Sequence, residues 1–301
     1  NGPRVARGGP PGARCQAEEQ RPPPPPPEKC SDVSALWQRE WQPDWDGRAP
    51  VAGTEEGREA KAKARGRVRH LFLVRHGQYN LDDDEHGLTD LGREQSRLLA
   101  ERLAAMAKGV QKDRYGEVQI RYEGIWVSDV KRALETASIV SAHLPGVQFM
   151  PPEPLLAEGM PTVPHPTRVQ VKPADVWEHS ARIEAAFRKF VHRDVDHKRK
   201  DKKEKDKLGE HSFLAGSAGS ANNAGDASKP AEQHSFEIVV CHMNVIRYFV
   251  MRALQLPPEA WLRLRGDNTG ITELVLYPDG RVSLGRFGDT GHLPIHMVTF
   301  H

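Results

Sequence analysis

Val68-Arg69-His70-Leu71-Phe72-Leu73-Val74-Arg75-His76-Gly77 is the stretch on which the fold turns. Val68–Val74 is a largely apolar run of strand length, and it stops on Arg75-His76-Gly77. Downstream, Thr89 to Met106 reads as a helix, with Thr89 as its cap and Leu98, Leu99, Leu103 and Met106 on one face. Val118–Val127 reads as a second strand and Lys131–Leu144 as a second helix. After a proline-rich loop at 151–173, Trp177–Val191 reads as a third helix. Phe236–Cys241 is strand-like and runs into His242, with a further helix over Asn244–Leu254. Ile271–Tyr277 and Arg281–Phe287, joined by Pro278-Asp279-Gly280, carry a hairpin signature. This alternation predicts an α/β domain, a three-layer α/β/α arrangement with a mainly parallel sheet and helices on both faces.

The catalytic-size domain spans 68–301, and the rest of the chain is of another character. Residues 1–30 are rich in Gly, Pro and Arg, include six consecutive prolines at 22–27, and read as a disordered tail with a stiff spacer. Arg4, Arg7 and Arg14 stand there without an acid, as in a transit peptide, but Gly and Pro argue against an amphipathic helix. The start at Asn1 rather than Met reads as a fragment or processed form. Residues 31–67 form a tryptophan-rich segment and a polar linker. Trp37, Trp41 and Trp45 recur every four residues and end in Trp41-Gln42-Pro43-Asp44-Trp45-Asp46. Such rings need a surface to bury against. Two readings stay open, an arm folded back on its own domain and an assembly motif that inserts into another subunit. At about 196–234 a lysine-dominated, mixed-charge run and a Gly/Ala/Ser/Asn-rich run read as an exposed, solvated insertion.

The net charge of +2, with both signs interspersed, does not point to nucleic acid. Cys15, Cys30 and Cys241 have neither metal-ligand spacing nor a disulfide framework, which suits a reducing compartment. No apolar run approaches the roughly 18 residues of a membrane helix.

In an open α/β sheet, sites lie beyond the carboxyl ends of the strands. Arg75-His76, Ser128–Arg132 and His242 all fall at such ends. Two histidines and two arginines on one crevice make a phosphate site, because guanidinium forks match phosphate oxygens. Helix N-termini after Gln78, Asp129 and His242 add backbone donors. A neutral imidazole is a competent nucleophile near pH 7, so His76 can accept a phosphoryl group while the cations hold the equatorial oxygens. No His/Asp zinc pattern or magnesium carboxylate cluster is evident. The acidic run Asp82–Glu85 with His86 reads as a solvated loop rather than a metal site.

The order of motifs resembles the histidine phosphatase superfamily, with its phosphoglycerate mutase-like fold. It runs apolar strand, Arg-His-Gly, Leu-Thr-x-x-Gly-x-x-Gln at 88–95, Ser-Asp-x-x-Arg-Ala-x-x-Thr-Ala at 128–137 and Cys-His-x-Asn-Val-Ile-Arg at 241–247. The resemblance implies that His76 is the phosphorylated histidine and that Arg75, Arg132 and His242 form the phosphate pocket. It implies that Glu158 protonates the leaving oxygen and later activates water; by its residues alone Glu158 is an ordinary loop carboxylate. Arg-His-x-Gln-Tyr at 75–79, the run at 181–188, Ala260–Leu264 and Gly288–Gly291 further resemble the superfamily's mitochondrial serine/threonine-protein phosphatases. In that family a Trp-Asp-Pro-Asn-Trp-Asp motif drives assembly into dodecameric rings and activates the phosphatase, which implies activation by oligomerisation; here Gln42 and Asp44 depart from it. The resemblance thus implies phosphorylated protein substrates, no cofactor or metal, and a homo-oligomer assembled through Trp41, Trp45 and Asp46. It also implies a mitochondrial location, with membrane association through an N-terminal segment not visible in this chain. The insertion lies outside the family pattern. A small-molecule phosphatase or phosphoglycerate-type mutase, and a mainly scaffolding protein of the same fold, are the alternatives.

Overall fold

A computed structural model describes residues 41–48, 66–82, 84–113, 116–167, 171–194 and 234–300. The tail at 1–30, Trp37 and the linker at 49–65 lie outside the described residues, as does the insertion at 196–234 apart from His234.

Among the described residues, eight strands and four α-helices follow in the order β1 (Val68–Arg75), α1 (Asp90–Lys108), β2 (Val110–Asp113), β3 (Gly116–Gln119), β4 (Tyr122–Val127), α2 (Lys131–His143), β5 (Gln148–Phe149), α3 (Pro173–Phe190), β6 (His234–Cys241), α4 (Met243–Ala253), β7 (Ile271–Leu276) and β8 (Val282–Asp289). The main sheet has the order β5-β4-β6-β1-β7-β8. Strand β1 pairs in parallel with β6, and β6 with β4, whereas β7 runs antiparallel to both β1 and β8. The sheet is therefore mainly parallel, with β7 alone reversed.

Alternation along β1 sorts the core into two layers. Leu71 and Leu73 point to one face, where Ile183 and Phe187 of α3 and Val245 and Phe249 of α4 cover them. Phe72 and Val74 point to the other, against Leu99 and Leu103 of α1 and Ala133 and Val140 of α2. Helix α1 begins as expected, since the Thr89 side chain accepts the Gly92 backbone N–H at 3.0 Å. The central strands are buried on both faces, which is why they read as continuous apolar runs rather than alternating ones.

Two boundaries differ from the expectation by more than two residues. The segment 118–127 is not one strand: β3 ends at Gln119 in a two-stranded hairpin with β2, and β4 of the main sheet starts at Tyr122. Helix α3 begins at Pro173 rather than Trp177, because proline in a first turn gives up a hydrogen bond that the turn never makes. Trp177, 86% exposed, thus sits on a solvated helix face.

Candidate active site

The parallel register places the chemistry. Arg75 lies opposite Cys241 on β6, and Val127 of β4 opposite Val240. The residues that follow, His76, Ser128 and His242, therefore emerge together at one edge. The His76 and His242 rings stand 5.1 Å apart, centre to centre.

His76 is 2% exposed, and its Nδ1–H donates to the Gly77 carbonyl at 2.8 Å. That bond commits the tautomer and leaves the lone pair on Nε2, which accepts from Arg132 Nε at 3.2 Å. Burial, with Arg132 and Arg75 close by, holds the imidazole well below its ordinary pKa, so it is neutral at pH 7. His242 is fully buried and likewise depressed, first by burial and then by His76 and Arg132. Its Nδ1 accepts from Arg132 Nη2 at 3.4 Å, which puts its proton on Nε2, toward Ser128 Oγ at 3.0 Å. The Arg132 guanidinium also stacks 4.5 Å over the Tyr79 ring, which fixes its plane.

Arg75 spends one N–H on the Gly266 carbonyl at 2.8 Å, while its buried Nε has no hydrogen-bond partner. A buried donor without an acceptor is costly, and a phosphate oxygen would satisfy it. The backbone behind the nucleophile is tied down from several directions. Cys241 O accepts the His76 N–H, Thr136 Oγ1 accepts the Gly77 N–H, and Asn268 Nδ2 donates to His76 O. Gly77 is required here, since a Cβ would lie 2.5 Å from the Gly92 carbonyl oxygen.

Glu158 sits half-buried in the loop after a short turn at Pro154–Leu156. Burial pushes its carboxyl above the ordinary range, against the pull of the Gly159 N–H and of Arg132, Arg75 and Arg247. A carboxyl raised in this way can hold a proton to donate. The site thus gathers all five residues expected to carry the chemistry. Trp41, Trp45 and Asp46 lie elsewhere, on the body of the same chain. Trp45 Nε1 donates to the Gly280 carbonyl at 2.8 Å and its ring packs against Phe187; the Asp46 carboxylate and the Arg193 guanidinium, each 2% exposed, form an ion pair at 2.6 Å. Trp41 is 42% exposed.

Two arginines escape a reading by residues alone. Arg247 of α4 is 6% exposed and lowered to about 10, by burial and then by Arg75. It closes the Cys-His-x-Asn-Val-Ile-Arg stretch, but helical periodicity does not separate it from a surface arginine. Arg182 of α3 donates to the carbonyls of Leu155, Ala157 and Glu158, and nothing in its local sequence announces that. Among the described residues, no group of three or more His, Cys, Asp or Glu could hold a metal ion.

Comparison with known proteins gives the family. Residues 71–158 and 174–290 match the model of the histidine phosphatase superfamily, branch 1. The chain is 38% identical over 279 residues to the human mitochondrial serine/threonine-protein phosphatase PGAM5, covering 86% of this chain and 80% of that one. It is 35% identical over 274 residues to the mitochondrial serine/threonine-protein phosphatase Pgam5 of Caenorhabditis elegans, covering 87% and 81%. A phosphoglycerate mutase of Plasmodium falciparum, solved by crystallography, is 26% identical and covers 76% of this chain and 96% of that one, with a TM-score of 0.44.

Proposed function

The chain belongs to the histidine phosphatase superfamily, and on that premise we propose that it is a mitochondrial serine/threonine-protein phosphatase acting through a phosphohistidine at His76. The observation that carries the mechanism is the committed tautomer of His76, whose Nδ1–H is spent on Gly77 O and whose Nε2 faces Arg132.

In the first step the Nε2 lone pair attacks phosphorus in line and the bond to the leaving oxygen breaks. Glu158 gives that oxygen its proton, so a serine or threonine hydroxyl departs. Arg75, Arg132 and His242 stabilise the charge spread over the equatorial oxygens. In the second step the Glu158 carboxylate takes a proton from water, the water oxygen attacks phosphorus, and the P–N electron pair returns to Nε2. Inorganic phosphate leaves and Glu158 is again protonated. Protons and electrons balance on these residues, and Arg75 and Arg132 supply the positive charge that a metal ion supplies in other phosphoryl transfers.

A decisive assay compares a phosphothreonine peptide with 3-phosphoglycerate, with and without EDTA, for wild type and His76→Ala. Peptide turnover that survives chelation and vanishes in the variant is expected. Turnover of the sugar acid alone would overturn the substrate class, and no turnover in any oligomeric state would favour a scaffold.

We further propose that the chain works as a homo-oligomer through Trp41, Trp45 and Asp46. The seat at Gly280, Phe187 and Arg193 that takes the segment from its own chain offers the same contacts to the segment of another copy. Sizing Trp45→Ala tests this; an unchanged, ring-sized particle would rule out the role. No helix among the described residues is long and apolar enough to cross a membrane.

A further inference from the structure

We propose that Arg182 is a positioning residue for proton transfer, holding the loop that carries Glu158 so that its carboxyl meets the leaving oxygen. This rests on the reading of Glu158 as the proton donor.

The loop starts from a firm anchor, because the Glu153 N–H donates to Val127 O at the end of β4 at 2.8 Å. After the turn at Pro154–Leu156 the chain leaves in an extended, irregular course through Ala157 to Met160. Carbonyls on such a course have no ladder to pair them. From α3, Arg182 pairs two of them and one carbonyl of the turn. Its Nη1 donates to Leu155 O at 3.0 Å and to Ala157 O at 2.6 Å, and its Nη2 to Glu158 O at 2.9 Å. The approach is so close that a Cβ on residue 159 would fall 2.6 Å from Arg182 Nη2, which calls for Gly159. On either side the loop is held by neighbours: Met160 N–H donates to His179 Nδ1 at 3.2 Å, and Asn244 Nδ2 donates to Gly159 O at 3.2 Å.

What the guanidinium does not do matters as much. It is turned to the backbone of Glu158, while the carboxyl Oε1 takes the Gly159 N–H at 3.0 Å. A fork laid on the carboxylate would favour its ionised form and remove the proton the reaction needs. Arg182 therefore locates the acid without neutralising it. Burial lowers its pKa, but a guanidinium stays charged at neutral pH.

A residue that acts only through the acid has a specific signature. A threonine alkoxide leaves poorly and needs the proton; a nitrophenolate leaves without it. Arg182→Met should lower kcat/KM on a phosphothreonine peptide about 10²-fold, the scale of a small misplacement, and change kcat/KM on p-nitrophenyl phosphate, which reports phosphoryl transfer to His76 before water enters, less than about threefold. Glu158→Gln should show the same selectivity. In the Glu158→Gln background, Arg182→Met should cost nothing further, since both act through one carboxyl. Arg182→Lys, which can still reach one carbonyl, should recover part of the loss and serves if the methionine variant folds poorly. Equal losses on both substrates, or full additivity in the double variant, would overturn the positioning role. A Glu158→Gln that does not distinguish the substrates would overturn the reading of Glu158 itself, and the proposal with it.

Discussion

Strand β1 carries the tripeptide Val-Arg-His twice, at 68–70 and at 74–76, about 20 Å apart along the strand. At the first, Arg69 forms an ion pair with Glu237 of β6 at 2.6 Å and donates to the His192 carbonyl at 2.6 Å. His70 Nδ1 donates to Glu273 of β7 at 2.9 Å, and its Nε2 accepts from His234 Nδ1 at 3.0 Å. At the second, Arg75 meets a single carbonyl and keeps a buried donor without a partner, and His76 meets a carbonyl and another arginine. The same residue types thus give a carboxylate-matched structural network at one end of the strand and an anion site at the other. The difference is carboxylate supply. Charges matched by neighbours stay inert, whereas cations gathered without matching anions favour a phosphate and keep the histidine neutral.

Four measurements would break or sharpen this contrast. His76→Ala should lower kcat by about 10⁴-fold or more, as loss of a nucleophile does. His70→Ala should leave kcat/KM within about threefold in the folded fraction; a comparable collapse there would erase the contrast. Next, Arg75→Met should cost about 10²–10³ in kcat/KM, by analogy with the loss of one oxyanion donor, with little loss of stability. Arg69→Met should leave the rate of folded enzyme unchanged but cost about 3–5 kcal/mol in denaturant unfolding, because Glu237 is left without its ion-pair partner.

Inorganic phosphate supplies a third, smaller effect. At a hundredfold excess over its Kd it should stabilise the wild type by about 2.7 kcal/mol, and Arg69→Met equally, but not Arg75→Met. The smallest effect is in pH. The folded pKa values of His76 and His242 lie below 6.5, so the unfolded chain binds more protons once pH falls through that value. Their contribution to stability is whole above pH 6.5 and declines below it. Unfolding at pH 7.5 and 5.5 should show the drop, and His76→Gln should lessen it. For the same reason the acid limb of kcat/KM lies below 6.5, and the raised carboxyl of Glu158 sets the alkaline limb above 4.5.

Much of this was legible in one dimension. Strand and helix periods marked β1, β6, α1, α2 and α4, because central parallel strands are continuously apolar and the helices bury one side. Arg75, His76, Arg132 and His242 stood at strand or helix ends, where an α/β sheet opens its crevice. The break at 120–121 was hidden, since apolar Val118, Ile120 and Tyr122 serve the same core from two different sheets. Glu158 rested on resemblance alone, because a loop carboxylate has no period to betray it.

The sequence by itself determined the order of elements, the polar groups at the strand ends and the family. Those follow from local periodicity and motif spacing, which neighbours in the chain suffice to specify. Only the tertiary structure shows how differently the two Arg-His pairs are surrounded, for Glu237 and Glu273 reach the first of them from strands more than 160 residues away. It also decided that Arg182 grips the carbonyls around Glu158 and that the segment with Trp45 and Asp46 closes on Gly280 and Arg193 of its own chain. Charge and protonation depend on distance through space and on burial, and neither is written in the spacing of residues along the chain.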